Sequence, residues 1–172
     1  MVQEIISAKE IENVVSELGQ KISKDFKGKK LLVVGILKGS FIFMADLVRQ
    51  IDMDCPVEFI SASSYKSSTV SSGTVSLRDD LDMDLSDTYI LLVEDILDTG
   101  RTLSHIKAHM LSKNPAGVSI CTLLDKPSRR VVEIDAEYIG IEIEDRFVVG
   151  YGLDYDQKYR NLPFIGEYIP EE

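Results

Sequence analysis

Val93-Glu94-Asp95-Ile96-Leu97-Asp98-Thr99-Gly100-Arg101-Thr102 gathers three carboxylates, two hydroxyls, a guanidinium and a glycine into one short run. An apolar stretch delivers Glu94 and Asp95 to its end, and the turn after them opens a helix near residues 100–102. Free backbone N–H groups at a helix start, a glycine that permits close approach and two threonine hydroxyls suit a phosphate. Two acids would repel that phosphate unless they face something else, such as sugar hydroxyls or a metal ion. A ligand with a phosphate at one end and a ribose diol beside it meets both demands. Plain N-capping by Asp98 or Thr99, with the acids only solubilising the turn, is the simpler alternative. The chain contains neither a GxxxxGK[ST] loop nor a GxGxxG after a strand, so P-loop and dinucleotide fingerprints are absent.

Further chemistry-bearing groups sit beside apolar runs. Leu37-Lys38-Gly39-Ser40 closes the run 31–37, and Ser64-Tyr65 opens a polar stretch rich in serine. Asp125-Lys126-Pro127 follows the run 117–124. Glu144-Asp145-Arg146-Phe147-Val148-Val149-Gly150-Tyr151-Gly152-Leu153-Asp154 precedes Arg160. Taken singly, each has a bland reading: a solvated Lys38, an exposed strand-end Lys126, a core Phe147, a solvated Asp154.

The elements that must position these groups follow from periodicity. Ser7 and Glu10 have capping-box spacing, and Ile11, Val14, Val15, Leu18 and Ile22 recur at helical intervals, so the first element reads as a helix, punctuated by Gly28. Runs 31–37, 57–65, 89–95 and 117–124 read as strands, and the first, LLVVGIL, suits a strand buried on both faces. FIFMADLVRQ after Ser40 and the stretch from 100–102 through Met110 read as helices, YIGIEI and FVVGYGL as short apolar segments, and 67–73 as a mobile loop or hairpin. Strands alternating with helices imply an α/β protein with a mostly parallel sheet, in which ligands sit at the carboxyl ends of the strands.

Read whole, the run 93–102 resembles the phosphoribosyl-pyrophosphate (PRPP) signature of the purine phosphoribosyltransferases: two acids, two apolar residues and an Asp-Thr-Gly-basic-Thr turn. The other segments occur in that family's order. Leu37-Lys38-Gly39-Ser40 resembles the pyrophosphate loop, which implies a non-proline cis peptide at Leu37–Lys38. Ser64-Tyr65 resembles the catalytic lid, with Lys66 where many relatives have glycine. Lys126 is similar to the lysine that donates to the purine 6-oxo group, Phe147 to the ring that stacks on the base, and Val148 to the backbone at the base edge. Asp154 resembles a Mg²⁺ contact, and Arg160 an arginine on the pyrophosphate. Lys126 with FVVGYGLDY is most similar to the hypoxanthine–guanine enzymes of bacterial type.

That resemblance covers roughly residues 30–166. It implies the type I phosphoribosyltransferase fold, a mostly parallel twisted sheet flanked by helices with a small hood formed by terminal segments. It also implies transfer of a phosphoribosyl group from PRPP to N9 of hypoxanthine or guanine. Asp98 would act as base at purine N7, and Glu94 and Asp95 would hold the ribose hydroxyls directly or through Mg²⁺. Thr99, Gly100, Arg101 and Thr102 would contact the substrate phosphate. A homodimer or homotetramer is the implied assembly.

Composition bounds the remaining possibilities. The length of 172 residues suits one domain, 1–172, and 44% hydrophobic with 28% charged residues is a globular balance. No apolar run reaches the roughly 20 residues of a membrane span. MVQEIISAKE lacks a basic region followed by an apolar one, so no signal peptide is expected. Cys55 and Cys121 beside apolar residues read as two buried thiols in a reducing, cytoplasmic setting. A net charge of −10 argues against a broad basic face for nucleic acid, and so against a regulator of the same fold that binds RNA or DNA. The acids are uneven, with Asp79, Asp80, Asp82, Asp84 and Asp87 in one surface-like stretch.

Overall fold

The structure, a computed structural model, describes residues 1–64, 75–78 and 81–171. In chain order its elements are β1 (Val2–Ile6), α1 (Ala8–Asp25), β2 (Lys30–Leu37), α2 (Phe41–Val48), β3 (Val57–Ser64), β4 (Val75–Arg78) and β5 (Thr88–Leu97). Then come α3 (Arg101–Ser112), β6 (Gly117–Asp125), a 3₁₀ turn (Pro127–Arg129), β7 (Tyr138–Glu142), β8 (Val148–Val149) and β9 (Ile165–Tyr168). The main sheet has the order β4-β3-β2-β5-β6-β7. All its pairings are parallel except that of β4 with β3, so the expected mostly parallel α/β sheet is present with one antiparallel edge.

The apolar runs become central strands because both faces of the sheet are covered. Leu31 and Val33 of β2 and Leu91 and Val93 of β5 pack under Ile11, Val15, Leu18 and Ile22 of α1 and Phe43, Met44 and Leu47 of α2. The alternate residues Leu32, Val34 and Ile36, with Ile90 and Leu92, pack under Leu103, Ile106 and Met110 of α3. Strand alternation holds this division through Val93, after which its phase shifts: Ile96 packs against the α1/α2 cluster and Leu97 lies in the α3 cluster. The shift falls at Glu94 and Asp95, and both of these acids, with Ile96 and Leu97, line one cavity.

The capping box at α1 is complete: Ser7 N–H donates to Glu10 Oε2 at 2.8 Å and Glu10 N–H to Ser7 Oγ at 3.2 Å. The residues before it, unassigned from periodicity, form β1, which pairs antiparallel with β9, and β9 with β8. This three-stranded sheet, β1-β9-β8, is the hood of terminal segments. Its strands are too short and irregular for a period-two pattern to show, and each depends on a partner distant in sequence.

Three boundaries differ from expectation. β5 runs to Leu97, so Glu94 and Asp95 lie inside a strand whose last residues still pair with β6. α2 stops at Val48 rather than at Gln50. FVVGYGL contributes only Val148–Val149 as strand, because Gly150, Tyr151 and Gly152 take left-handed φ values of 99°, 51° and 100°. Cys121 is buried and Cys55 only partly so; both are free thiols. Asp82, Asp84 and Asp87 are exposed, as expected of the acidic stretch, while Asp79 and Asp80 lie outside the described residues. Among the described residues no helix is long and apolar enough to cross a membrane.

Candidate active site

The ends of β2 and β5 and the start of α3 enclose a cavity of about 350 Å³. Leu37, Gly39, Glu94, Asp95, Asp98, Thr99, Gly100 and Thr102 line it, all singled out from the sequence. Gly100 is the N-cap of α3 with φ 82°, and no side chain caps the helix. That conformation favours glycine. Asp98 is not spent on capping, while Arg101 N–H donates to Thr99 Oγ1 at 3.4 Å. Capping by Asp98 is thus absent and capping by Thr99 is limited to that one long contact, which leaves the N–H groups of Thr102 and Leu103 to an anion. Arg101 does not line the cavity; its side chain begins α3 exposed to solvent.

The opposite wall is the turn 37–40. Its Leu37–Lys38 peptide is cis, as expected. Ser40 Oγ donates to Ile36 O at 2.6 Å and fixes the turn from beneath. A Cβ at Gly39 would collide with Asp95 Oδ2, and one at Gly152 with the Gly39 carbonyl oxygen. Two glycines thereby press the 37–40 turn between Asp95 and the 150–160 segment. In that segment Asp154 Oδ1 pairs with Arg160 Nη2 at 3.0 Å, and its Oδ2 accepts from Gln157 N–H at 2.8 Å. Arg160 Nη1 donates to Gly152 O at 2.7 Å, and Lys38 Nζ reaches Gln157 Oε1 at 3.4 Å. Asp154 is therefore ion-paired rather than merely solvated, whereas Lys38 remains exposed.

Glu94 is the electrostatically unusual member. Burial, and then the adjacent Asp95 carboxylate, hold its carboxyl well above the usual carboxylate range. Glu94, Asp95 and Asp154 do not form a self-contained metal cage: among the described residues no three His, Cys, Asp or Glu side chains meet closely enough to hold an ion. The Asp154 carboxylate is engaged instead by Arg160 and by Gln157 N–H.

A second group of side chains gathers past the end of β6. Lys126 is 7% exposed, so it is not a solvated strand-end lysine. Its ammonium donates to Arg146 O and lies 3.8 Å from Asp145 Oδ1. Phe147 is 52% exposed and so is not a core ring; it meets Tyr155 edge-on at 5.7 Å and Tyr168 at 6.1 Å. Tyr168 N–H donates to Phe147 O at 2.8 Å, so the alternation of an antiparallel ladder turns the N–H and C=O of Val148 toward the open edge of β8. Ser64 ends β3, paired with Val75, while its lid partner Tyr65, together with Lys66 and the 67–73 stretch, lies outside the described residues.

Arg129 and Arg130 were not singled out from the sequence, and Asp145 only as part of the run 144–154. Arg130 Nη1 donates to Leu97 O at 3.2 Å and to Asp98 O at 2.6 Å, and its Nη2 pairs with the buried Asp125. Arg129 Nε donates to Asp98 Oδ1 at 3.2 Å. Val131 N–H closes the arrangement on Thr99 O at 3.0 Å. The available signal was Lys126-Pro127-Ser128-Arg129-Arg130, three cations clustered at a strand end in an acidic chain.

Residues 1–156 match the phosphoribosyl transferase domain. This chain belongs to the phosphoribosyltransferase family. Among curated relatives of this phosphoribosyltransferase, the hypoxanthine phosphoribosyltransferase of Haemophilus influenzae is 47% identical over 171 residues, 98% of this chain and 96% of that protein. The hypoxanthine-guanine phosphoribosyltransferase of Staphylococcus aureus is 46% identical, covering 97% and 93%. A crystal structure of a hypoxanthine-guanine phosphoribosyltransferase from Bacillus anthracis superposes with a TM-score of 0.89 at 45% identity, covering 97% of this chain and 98% of that one. The phosphoribosyltransferase fold expected from the resemblance is therefore the fold observed.

Proposed function

We propose that this phosphoribosyltransferase moves the phosphoribosyl group of PRPP to N9 of hypoxanthine or guanine, releasing pyrophosphate and the nucleoside monophosphate. The observation that carries this reading is a buried Lys126 ammonium beside a half-exposed Phe147 ring, close to an uncapped helix start. An ammonium in that position donates to a 6-oxo group and cannot accept from a 6-amino group, which selects against adenine. Phe147 offers a face to the base, and the open-edge N–H and C=O of Val148 suit its polar rim.

Breaking the C1–O bond builds positive charge on the ribose and negative charge on the departing diphosphate. Positioning and charge stabilisation therefore supply the catalysis, without a covalent intermediate. The first N–H groups of α3 with Thr99 and Thr102 hold the sugar's phosphate, and the 37–40 turn with Arg160 holds the diphosphate. Asp98 accepts the N7 proton as N9 attacks C1, help typically worth about 10²–10⁴-fold. Glu94 and Asp95 on the ribose side, with Asp154 as a ligand or as an anchor behind one, would hold a Mg²⁺ ion brought in with the substrate. When bound it supplies neutralisation of the diphosphate charge.

The two free cysteines suit a reducing, cytoplasmic setting. Leu37 and Phe41, 38% and 43% exposed beside the diphosphate turn, are apolar surface that a second copy would cover in the homodimer or homotetramer implied by the resemblance.

A spectrophotometric assay with PRPP, Mg²⁺ and each of hypoxanthine, guanine, xanthine and adenine tests the proposal. Turnover is expected with hypoxanthine and guanine and not with adenine. No turnover with any base overturns it. Asp98→Asn should lower kcat by about 10²–10⁴-fold with PRPP binding nearly intact, and a kcat within about threefold of wild type removes Asp98 from the role.

A further inference from the structure

A 6-oxopurine presents its O6 and N7 atoms on one edge, so a donor and a proton acceptor must be held side by side to use both. The residues assigned to these atoms, Lys126 and Asp98, belong to different strand ends. One guanidinium and one carboxylate join them. Arg129 Nε donates to Asp98 Oδ1 at 3.2 Å, and Arg129 Nη1 lies 3.8 Å from Asp145 Oδ2. Asp145 Oδ1 in turn lies 3.8 Å from Lys126 Nζ. The charges alternate along Asp98, Arg129, Asp145 and Lys126.

We propose that Arg129 is a positioning residue that fixes the Asp98 carboxylate for purine N7 and, through Asp145, sets its spacing from the Lys126 ammonium. The inference rests on the transfer reading above. Arg129 can do this because its own backbone is held: it ends the 3₁₀ turn begun by Pro127, and its N–H donates to Lys126 O at 3.0 Å. A guanidinium is a planar fork that engages two carboxylates in a defined geometry, which an ammonium does not. Among the described residues Asp98 Oδ2 takes no hydrogen bond, so one oxygen is anchored while the other remains available to the base.

The side chains of Arg129 and Asp98 are 48% and 41% exposed. Ion pairs this exposed add little to folding, so removing the guanidinium leaves the fold intact and its effect on turnover can be read directly. The role assigned here is separable from that of Arg130, which grips the backbone of the same turn.

The test is steady-state kinetics of the full chain with hypoxanthine, PRPP and Mg²⁺ for wild type, Arg129→Gln, Arg129→Lys, Asp98→Asn and the Asp98→Asn/Arg129→Gln pair. Arg129→Gln should lower kcat by about 10–100-fold, the scale of a misplaced reacting group, with KM for PRPP within about twofold of wild type. Arg129→Lys should recover part of the loss. In the Asp98→Asn background Arg129→Gln should add nothing, because Arg129 acts through that carboxylate. A kcat for Arg129→Gln within about twofold of wild type overturns the proposal, as do losses that multiply in the double variant. With wild type active and Asp98→Asn slow, those outcomes strike this inference alone. A wild type inactive with every base strikes the transfer reading, and this inference falls with it.

Discussion

The two halves of the site are made from different materials. The half proposed to face sugar and phosphates is shaped by backbone around its side chains: a left-handed Gly100 at the α3 start, a cis peptide before Lys38, and Gly39 pressed between Asp95 and Gly152. The half proposed to face the base is side chains drawn from separate elements, with Lys126 after β6 and Phe147 before β8, its ring against Tyr168 of β9. Phosphate chemistry is constant, so a backbone cradle can be built once and tolerates no added Cβ. Base chemistry varies at ring substituents, and selectivity there is set by which side chains reach them.

Substitutions that respect this division should separate the two substrates kinetically. The largest effect is expected at Gly39→Ala. Its methyl would strike Asp95 Oδ2, displacing either the diphosphate turn or a carboxylate on the ribose side, and kcat/KM for PRPP should fall by about 100-fold or more. KM for hypoxanthine should stay near wild type. Equal damage to both substrates would erase the distinction between the halves. Lys126→Gln should do the converse, raising KM for hypoxanthine by about 10–100-fold, the range for a lost hydrogen bond from a charged group, and relaxing discrimination against adenine. An unchanged KM for hypoxanthine would show that the buried ammonium does not read the base.

The smallest effect concerns stability at Glu94, on the sugar side. Its raised pKa means that the folded protein disfavours the ionised form, first through burial and then through Asp95. The folded state therefore binds this proton more tightly than the unfolded chain does. The penalty is absent below the ordinary value of 4.5 and grows as pH rises through the raised folded value. Glu94→Gln should accordingly raise Tm at pH 8, by about 2–4 °C for each kcal/mol recovered, and the gain should vanish in scans below that ordinary value. A gain independent of pH would assign the effect to packing instead.

Much of this architecture was legible before any coordinates. The α1 capping box, the two-face burial of β2 and β5 and the start of α3 depend on residues close in sequence, where capping and periodicity apply. The contiguous run 93–102 was readable as a strand end, turn and helix start for the same reason: those are local objects. Two features stayed unread for physical cause. β1 was invisible because a short strand is defined by its partner, and its partner β9 lies at the other end of the chain. The pairing of Asp154 with Arg160 and Gln157 N–H was likewise not readable from spacing, since it depends on how the 150–160 segment turns.

Residue order by itself determined the sheet class, the phosphate turn and the family resemblance, because each rests on spacing within about one element. Tertiary structure alone decided what Lys126, Phe147 and Arg129 are. Burial turned a strand-end lysine into a held ammonium and exposure freed a ring from the core. A contact spanning 31 positions placed an otherwise ordinary arginine on Asp98. Burial and ion pairing depend on which distant segments share a volume, and that sharing is settled only when the whole chain packs.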